Sequence, residues 1–418
     1  MSKAANVTVA LLILVGSVAV WASAKEINFW TWESGERFEQ VREILAQFVK
    51  ENPGLTVAYD TRNVRHGEAL LVAIAGGVAP DLVTTHQDFH RDFAGQGLFL
   101  DLRPYIERDG FDLSIFPAEV MKFYTGPQGE ITGFPWQFTT ILLGYNREYF
   151  ARQGVTEPTE AWTLDDMVEA ARKLTYDHDG DGETDRWGLH VGVLREYVWR
   201  LWGVDLMSAE GRSNLGDPRA IAAFEWFADL FLVHQVVGGE GGGASAPAWV
   251  EGAIAMNLNW PHYLTAWGLV MTQEWDIELI PTGPIGRKLA RGATAGWAIP
   301  ASASNPDEAW ELLKFLASYD VQLQLLAIGS GGVSLPALAE HWMNRANFNF
   351  AQPKALQNRA AMARAYEYAS IDRYPPGYSN IWRDIINPAI TQMVQGRAAP
   401  GVILPEVARQ VDAAVAAQ

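Results

Sequence analysis

Apolar and polar residues follow two different periods in the first third of the chain. Residues 26–30 alternate with a period of two, and an apolar set then recurs at intervals of three and four: Phe38, Val41, Ile44, Leu45 and Phe48. The first pattern is typical of a half-buried β-strand and the second of an amphipathic helix. Residues 52–54, with a proline and a glycine, predict the end of that helix before a second strand at residues 55–59.

The same order of strand and helix continues along the chain. The pattern predicts a helix over residues 69–75, a strand at 80–83 and a helix over 163–174 that begins with Thr163 as its N-cap. Further helices are predicted at residues 307–317 and 382–394. Alternating strands and helices indicate an α/β fold with mostly parallel sheets, in which ligands bind at the carboxyl ends of the strands.

Composition narrows the functional classes. A length of 418 residues suggests two domains or lobes, and 49% hydrophobic residues exclude a disordered chain. The net charge of −17 excludes a broad basic surface for nucleic acid. The absence of cysteine excludes disulfides and thiolate–metal sites.

The N-terminal residues 1–24 are predicted to be a signal peptide. Lys3 precedes an apolar run over residues 7–20, and Ala22, Ser23 and Ala24 offer small side chains for cleavage after Ala24. An uncleaved anchor is the alternative, although the run is shorter than the roughly 20 residues that span a bilayer. Because no cysteine follows, lipidation is excluded, and we expect a soluble periplasmic protein.

An acidic loop at residues 177–185 predicts a structural calcium site. Carboxylates alternate at Asp177, Asp179 and Asp181, Gly182 allows a sharp turn, and Glu183 (through its carbonyl) and Asp185 supply further oxygens. The loop is not an EF-hand, because its twelfth position is Gly188 rather than glutamate. The alternative is a solvated acidic turn without an ion. In either case the role is structural.

Tryptophan gives the clearest indication of function. The chain contains 17 Trp, and many lie near predicted strand ends or loops. An indole covers the apolar face of a sugar ring, while carboxylates and amides bind its hydroxyls. For any single Trp, packing in the core is the simpler explanation. The group as a whole indicates a saccharide site.

A series of ordered motifs resembles the extracellular solute-binding proteins of carbohydrate ABC transporters, the family that includes maltose-binding protein. The motifs cover almost the whole chain after residue 24: residues 27–32, 79–83, 97–102, 133–135, 144–146, 162–164, 187–188, 252–256, 309–316, 334–337 and the last helix before Gly396. Each motif alone is weak, but their order and spacing together are specific.

This resemblance implies two α/β lobes joined by a hinge, with the ligand in the cleft between them. Residues 25–134 plus 295–340 would form the N-terminal lobe, and residues 135–294 plus 341–418 the C-terminal lobe. By position, eight residues are expected to bind the ligand: Trp32, Glu33, Asp88, Gln137, Trp260, His262, Trp297 and Trp382. Thr85, Thr139 and His262 differ from the maltose-binding member, so maltose specificity does not follow.

The resemblance implies that the chain is the binding component of a sugar importer. It would capture a mono- or oligosaccharide by hinge closure and deliver it to a membrane permease, as a monomer that is not an enzyme and needs no cofactor beyond the possible calcium ion. The main alternative is a secreted glycoside hydrolase with Glu33 and Asp88 as its carboxylates. A zinc receptor using His86 and His90, and a glycerol-phosphate-binding protein, are less favoured.

Overall fold

The first strands and helices form where the apolar pattern predicts them. The computed structural model describes residues 24–64, 67–238, 246–268, 270–328, 335, 338, 341, 356–375 and 377–417, so the predicted signal peptide lies outside the described residues except for Ala24. In β1 (Lys25–Thr31) the side chains of Ile27, Phe29 and Thr31 are buried, and the residues between them are more exposed. The predicted Thr163 cap is confirmed, since its Oγ1 accepts from Asp166 N at 3.3 Å.

Ten strands are described. They are β1 (Lys25–Thr31), β2 (Leu55–Thr61), β3 (Leu82–His86), β4 (Phe134–Thr140), β5 (Leu142–Asn146), β6 (Trp187–His190), β7 (Ile254–Asn259), β8 (Trp275–Glu278), β9 (Ala290–Ala298) and β10 (Ala369–Ser370). The described α-helices are Gly35–Glu51, Glu68–Ala75, Gln87–Gly95, Arg103–Asp109, Ala118–Tyr124, Arg147–Gln153, Leu164–Lys173, Val198–Leu201, Pro218–Leu232, Ala246–Val250, Pro261–Gly268, Pro306–Ala317, Tyr319–Ala327, Arg359–Tyr368, Tyr378–Ile381, Asn387–Val394 and Pro400–Ala416. Short 3₁₀ turns cover Leu113–Ile115 and Leu194–Glu196, and a π-helical turn covers Trp382–Ile386.

The strands form two sheets. The first has the order β10-β9-β3-β1-β2, with β4 also paired to β9, and the second has the order β6-β7-β5-β8. In the first sheet β1 is parallel to β2 and β3, whereas β9 is antiparallel to β3 and β4. The α/β fold is confirmed.

The expected strand direction is wrong for the second sheet. Only β6 and β7 are parallel there, while β5 is antiparallel to both of its neighbours, β7 and β8. Strands β6, β7 and β8 share one direction, and the helices between them provide the crossovers that parallel strands need. In contrast, β5 enters from β4 of the first sheet through Ile141 and lies between β7 and β8 in the opposite direction.

Two large hydrophobic clusters enclose the second sheet. Leu142 and Ile277 belong to the first cluster, which continues to the first sheet, whereas Leu143 and Met256 belong to the second cluster. A smaller third cluster, which includes Leu70 and Val83, packs beside the first sheet. None of the described helices is long and apolar enough to span a membrane.

The chain passes between the sheets at β4 and β9. Both predicted lobe boundaries in this region, 134/135 and 294/295, fall inside these paired strands. The two strands approach closely, because a Cβ on Gly296 would lie 2.4 Å from the Phe134 carbonyl oxygen and from the Tyr124 hydroxyl. The pair β4–β9 therefore forms a tightly packed connection between the two sheets.

Candidate functional site

A cleft of about 1220 Å³ opens at the carboxyl ends of β1, β3, β6 and β7. We call its three sides the first wall (lining residues between 32 and 93), the second wall (lining residues between 192 and 263 and between 377 and 387) and the floor (lining residues of β4 and β9). The position agrees with the general rule that α/β sheets bind ligands at the carboxyl ends of their strands. The cleft is therefore the candidate ligand site.

The first wall combines a tryptophan with paired polar groups. The Trp32 ring lies 5.7 Å from that of Trp136, at 49°, and 6.1 Å from the His86 ring, at 76°. Glu33 Oε2 lies 3.5 Å from Arg37 Nε, and Asp88 Oδ2 lies 3.1 Å from His86 Nδ1. An apolar ring thus stands beside two carboxylates that are already oriented by neighbours.

The floor gains Trp136 through a β-bulge. In the pairing of β4 with β9, Pro135 opposes Gly296 and Gln137 opposes Ala295, so Trp136 is the extra residue. A bulge redirects the side chain that it carries and interrupts the alternation of faces. Trp136 and Gln137 consequently both line the cleft, although they are adjacent in sequence.

The structure places Trp297 behind the floor. It is 3% exposed, does not line the cleft and stacks on Trp136 with ring centroids 6.0 Å apart and an interplanar angle of 28°. We therefore no longer expect Trp297 to stack on a ligand, because its ring instead supports that of Trp136. The physical reason is the side of β9 on which the residue lies: in its pair with Phe134 it faces the first hydrophobic cluster.

A buried arginine of the floor lies against a row of aromatic rings that leads into the second wall. Arg291 forms an ion pair with Glu196, its Nε donates to the Tyr374 hydroxyl at 3.2 Å, and its guanidinium lies 5.4 Å from the Trp260 ring centroid. The ring of Tyr378 lies 4.4 Å from Tyr374. Burial raises the pKa of Tyr374 to about 12, so its hydroxyl stays neutral at physiological pH.

Among the described residues, four arginines line the cleft, and carboxylates pair with Arg37, Arg291 and Arg383. Besides the pairs Arg37–Glu33 and Arg291–Glu196, Arg383 Nε donates to Asp384 Oδ1 at 2.9 Å. The fourth, Arg195, donates to Thr391 Oγ1 at 3.4 Å, and burial lowers its pKa. The described lining residues are polar on both walls, and the arginines among them are accompanied by carboxylates.

Six of the eight predicted ligand residues line the cleft: Trp32, Glu33, Asp88, Gln137, Trp260 and Trp382. Trp297 does not. The backbone of His262 belongs to the helix Pro261–Gly268, whose Tyr263 lines the cleft, but its side chain lies outside the described part of the chain. The prediction that the six residues bind a ligand stays a prediction.

Sequence reasoning did not assign Arg291, Glu196 or Tyr378 to the site. Arg291 lies within β9 and meets Glu196 only in the fold, so no local motif connects them. Tyr378 precedes Trp382 by one helical turn, and this spacing of aromatic residues is the signal that could have found it.

The two histidines of the zinc alternative do not converge. His86 lines the cleft, whereas both ring nitrogens of the buried His90 lie 3.0 Å from threonine hydroxyls, those of Thr85 and Thr132. Burial lowers the pKa of His90 to about 3. His90 is therefore a neutral core residue, and the less favoured alternative of a zinc site formed by both imidazoles is wrong.

The acidic loop brings together three of its five predicted ligands. Carboxylate oxygens of Asp177, Asp179 and Asp185 lie within 4.8 Å of one another, which is close enough for one cation. Asp181 instead accepts from Glu183 N at 2.8 Å. Hydrogen bonds from Gly182 N and Gly180 N lower the pKa of Asp177, which keeps it ionised.

Comparisons with known proteins agree with this architecture. Residues 32–323 match the family described as bacterial extracellular solute-binding protein. A binding protein of Brucella abortus (strain 2308) is 22% identical over 426 residues, covering 96% of this chain and 95% of the relative.

Two solved structures show the same fold. An ABC substrate-binding protein from Listeria monocytogenes, in complex with cycloalternan, has a TM-score of 0.77 and 20% identity, covering 94% of this chain and 99% of its own. UgpB from Mycobacterium tuberculosis, in complex with glycerophosphocholine, has a TM-score of 0.77 and 16% identity with the same coverage. The family match spans more than half of the sequence, and this chain therefore belongs to the bacterial extracellular solute-binding protein family.

Proposed function

We propose that this protein captures a neutral mono- or oligosaccharide in the cleft and delivers it to the membrane permease of an ABC importer. The observation that carries the proposal is the combination of aromatic faces and paired polar groups on opposite sides of one cleft. Trp32 belongs to the first wall, Trp136 to the floor, and Trp260 and Trp382 to the second wall. Indole faces on several sides suit the apolar faces of sugar rings.

The pairing of the arginines favours a neutral ligand over a phosphate ester. A phosphate is usually bound by arginine forks that are free to form two parallel hydrogen bonds. Arg37, Arg291 and Arg383 are already engaged by carboxylates, so an anion would have to compete with Glu33, Glu196 and Asp384. A sugar hydroxyl can instead accept a hydrogen bond from one of these guanidinium groups and donate one to its carboxylate partner.

Closure of the cleft would couple binding to transport. A ligand that touches both walls only when they approach stabilises the closed form, because the contacts are absent in the open form. The closed form would then dock on the permease, and ATP hydrolysis on other subunits would drive import. The lobes would be residues 25–134 plus 295–340 and residues 135–294 plus 341–418.

Export and calcium binding are further parts of the proposal. The mature protein would be periplasmic and would start at Lys25, the residue at which β1 begins. Because the sequence contains no cysteine, it would not be lipidated. The three clustered carboxylates of the loop at residues 177–185 would bind one structural calcium ion. The protein would act as a monomer.

A thermal-shift screen tests the proposed ligand class. The panel contains maltose, maltotriose, mannobiose, tagatose, ribitol, sn-glycerol 3-phosphate and glycerophosphocholine. A ligand present at 100 times its Kd stabilises the native state by about 2.7 kcal/mol, a shift that melting curves resolve readily. We expect a neutral sugar to raise the melting temperature; stabilisation by the phosphate esters alone would overturn the proposal.

The hydrolase alternative has its own test. A glycosidase with Glu33 and Asp88 as its carboxylates would release new reducing ends from an oligosaccharide. We expect the bound oligosaccharide to be recovered intact after prolonged incubation. New reducing ends that disappear in the Glu33→Gln variant would instead support the enzyme.

A further inference from the structure

Residues 369–375 and 377–378 lie in sequence between the first sheet and the second wall. The first two residues of this segment form β10, where Ala369 pairs with Ala290 and Ser370 with Arg291 of β9. Eight residues after Ser370, Tyr378 lines the cleft. The position of this part of the second wall therefore depends on what holds the segment between these two points.

Side chains of this segment alternate between two environments. Ala369 and Ile371 pack in the first hydrophobic cluster. Ser370 reaches the other way, and its Oγ accepts from Arg200 Nη2 at 2.6 Å. In extended backbone successive side chains point to opposite sides. Asp372 is therefore expected on the side of Ser370, facing the second cluster.

Asp372 is fixed in that position by three hydrogen bonds. It is 2% exposed, and its Oδ2 accepts from Trp199 Nε1 at 2.7 Å. Its Oδ1 accepts from Leu206 N at 3.0 Å and from Arg373 N at 2.8 Å. A carboxylate is buried in this way only when several donors satisfy it, since an unpaired buried charge is costly.

The aromatic row of the second wall begins two residues after Asp372. Its members are Tyr374, Tyr378 and Trp382, with ring centroids 4.4 Å apart for the first pair and 6.3 Å for the second. Arg291 holds the first ring through its hydrogen bond to the Tyr374 hydroxyl. A shift at Asp372 would be transmitted along this row, because packed rings move together.

We propose that Asp372 is a positioning residue whose carboxylate fixes the aromatic row of the second wall. The hydrogen bond from Trp199 connects Asp372 to the second hydrophobic cluster, and the hydrogen bond from Leu206 N gives the carboxylate a second fixed point. The consequence for ligand binding rests on the function proposed above. The effect on the position of the aromatic row does not depend on that function.

Asp109 provides a control for the bond between a carboxylate and an indole, and it also forms ion pairs with Arg108 and Lys314. Its Oδ2 also accepts from a buried indole, Trp310 Nε1, at 2.7 Å. Trp310 belongs to the first hydrophobic cluster, and neither residue lines the cleft. Replacing either aspartate by asparagine thus perturbs the same kind of bond, but only Asp372 is connected to the aromatic row.

Amide hydrogen exchange on the unliganded full-length protein tests the proposal. We expect peptides covering residues 377–386 to exchange about tenfold faster in Asp372→Asn than in the parent, as loss of a bond worth about 1.4 kcal/mol predicts. The same peptides should be unchanged in Asp109→Asn. Equal exchange in both variants, or acceleration spread evenly over the chain in Asp372→Asn, would overturn the proposal.

A second pair of variants covers a failure to fold. Trp199→Phe removes the same hydrogen bond from the donor side, and Trp310→Phe is its control. Peptides covering residues 377–386 are again expected to exchange faster in Trp199→Phe than in the parent and to be unchanged in Trp310→Phe. Because the exchange measurement needs no ligand, a failure of all saccharides in the thermal-shift screen would count against the proposed function without affecting this comparison.

Discussion

Substitution of Trp382 and of Trp297 should separate ligand binding from core packing. Trp382 is partly exposed and lines the second wall, whereas Trp297 is 3% exposed and stacks under Trp136. The two residues have the same side chain and lie on different sides of the cleft surface. Trp382→Ala and Trp297→Ala are therefore a matched pair.

The expected magnitudes differ in kind. An aromatic side chain removed from a ligand pocket costs about 2 kcal/mol of binding free energy, or about thirtyfold in Kd. A fully buried Trp replaced by alanine costs about 3–5 kcal/mol of unfolding free energy, because it leaves a cavity. We expect Trp382→Ala to show mainly the first effect and Trp297→Ala mainly the second.

Urea denaturation without ligand and calorimetric titration with the best saccharide of the screen measure the two quantities. Titrations are read on the folded fraction, so that a loss of stability is not counted as a loss of affinity. The reasoning would be refuted if Trp382→Ala bound as tightly as the parent. It would also be refuted if Trp297→Ala kept its stability while losing thirtyfold in affinity.

Three further predictions concern pH, calcium and export. Burial raises the pKa of Asp276 to about 6, so the native state binds more protons than the unfolded chain between about pH 4 and 6, and stability falls as pH rises through that window. In denaturant titrations, the free energy of unfolding of Asp276→Asn should exceed that of the parent by about 1–3 kcal/mol at pH 7.5 and should equal it at pH 4. An equal increase at both pH values would contradict this prediction. Calcium should raise the melting temperature of the parent but not of Asp179→Ala, and identical melting of the parent in chelator and in excess calcium would refute the site. Mass spectrometry of the exported protein should find Lys25 as its first residue, and detection of Met1 in the soluble fraction would disprove cleavage.

The first wall could be predicted because its residues follow β1 and β3, two strands that the alternation of strand-like and helix-like segments indicates. Trp32 and Glu33 come directly after β1, and Asp88 follows β3, so their place at the carboxyl ends of parallel strands is a consequence of the fold class. The floor could not be predicted in the same way. The bulge at Trp136 shifts the alternation of β4, and neither residue type nor spacing indicates it.

The side of β9 on which Trp297 lies could not be predicted from the local sequence either. Almost every residue of this strand is buried, so the sequence shows no alternation of polar and apolar positions that would distinguish the two faces. For the same reason the sequence did not indicate a role for Arg291, whose partners Glu196 and Tyr374 come from distant segments of the chain. Sites formed by buried strands and long-range ion pairs require the fold to be known.

Calorimetric titration at two salt concentrations tests the central claim most directly. The screened neutral saccharides and the two phosphate esters are each titrated into the protein at 50 mM and 200 mM salt. Because an uncharged ligand gains little from long-range attraction, we predict that one saccharide binds at one site per chain with a Kd that changes less than twofold between the salts. Binding of the phosphate esters alone would contradict a neutral-saccharide cleft, and for the anionic sn-glycerol 3-phosphate the affinity would then also fall as salt rises.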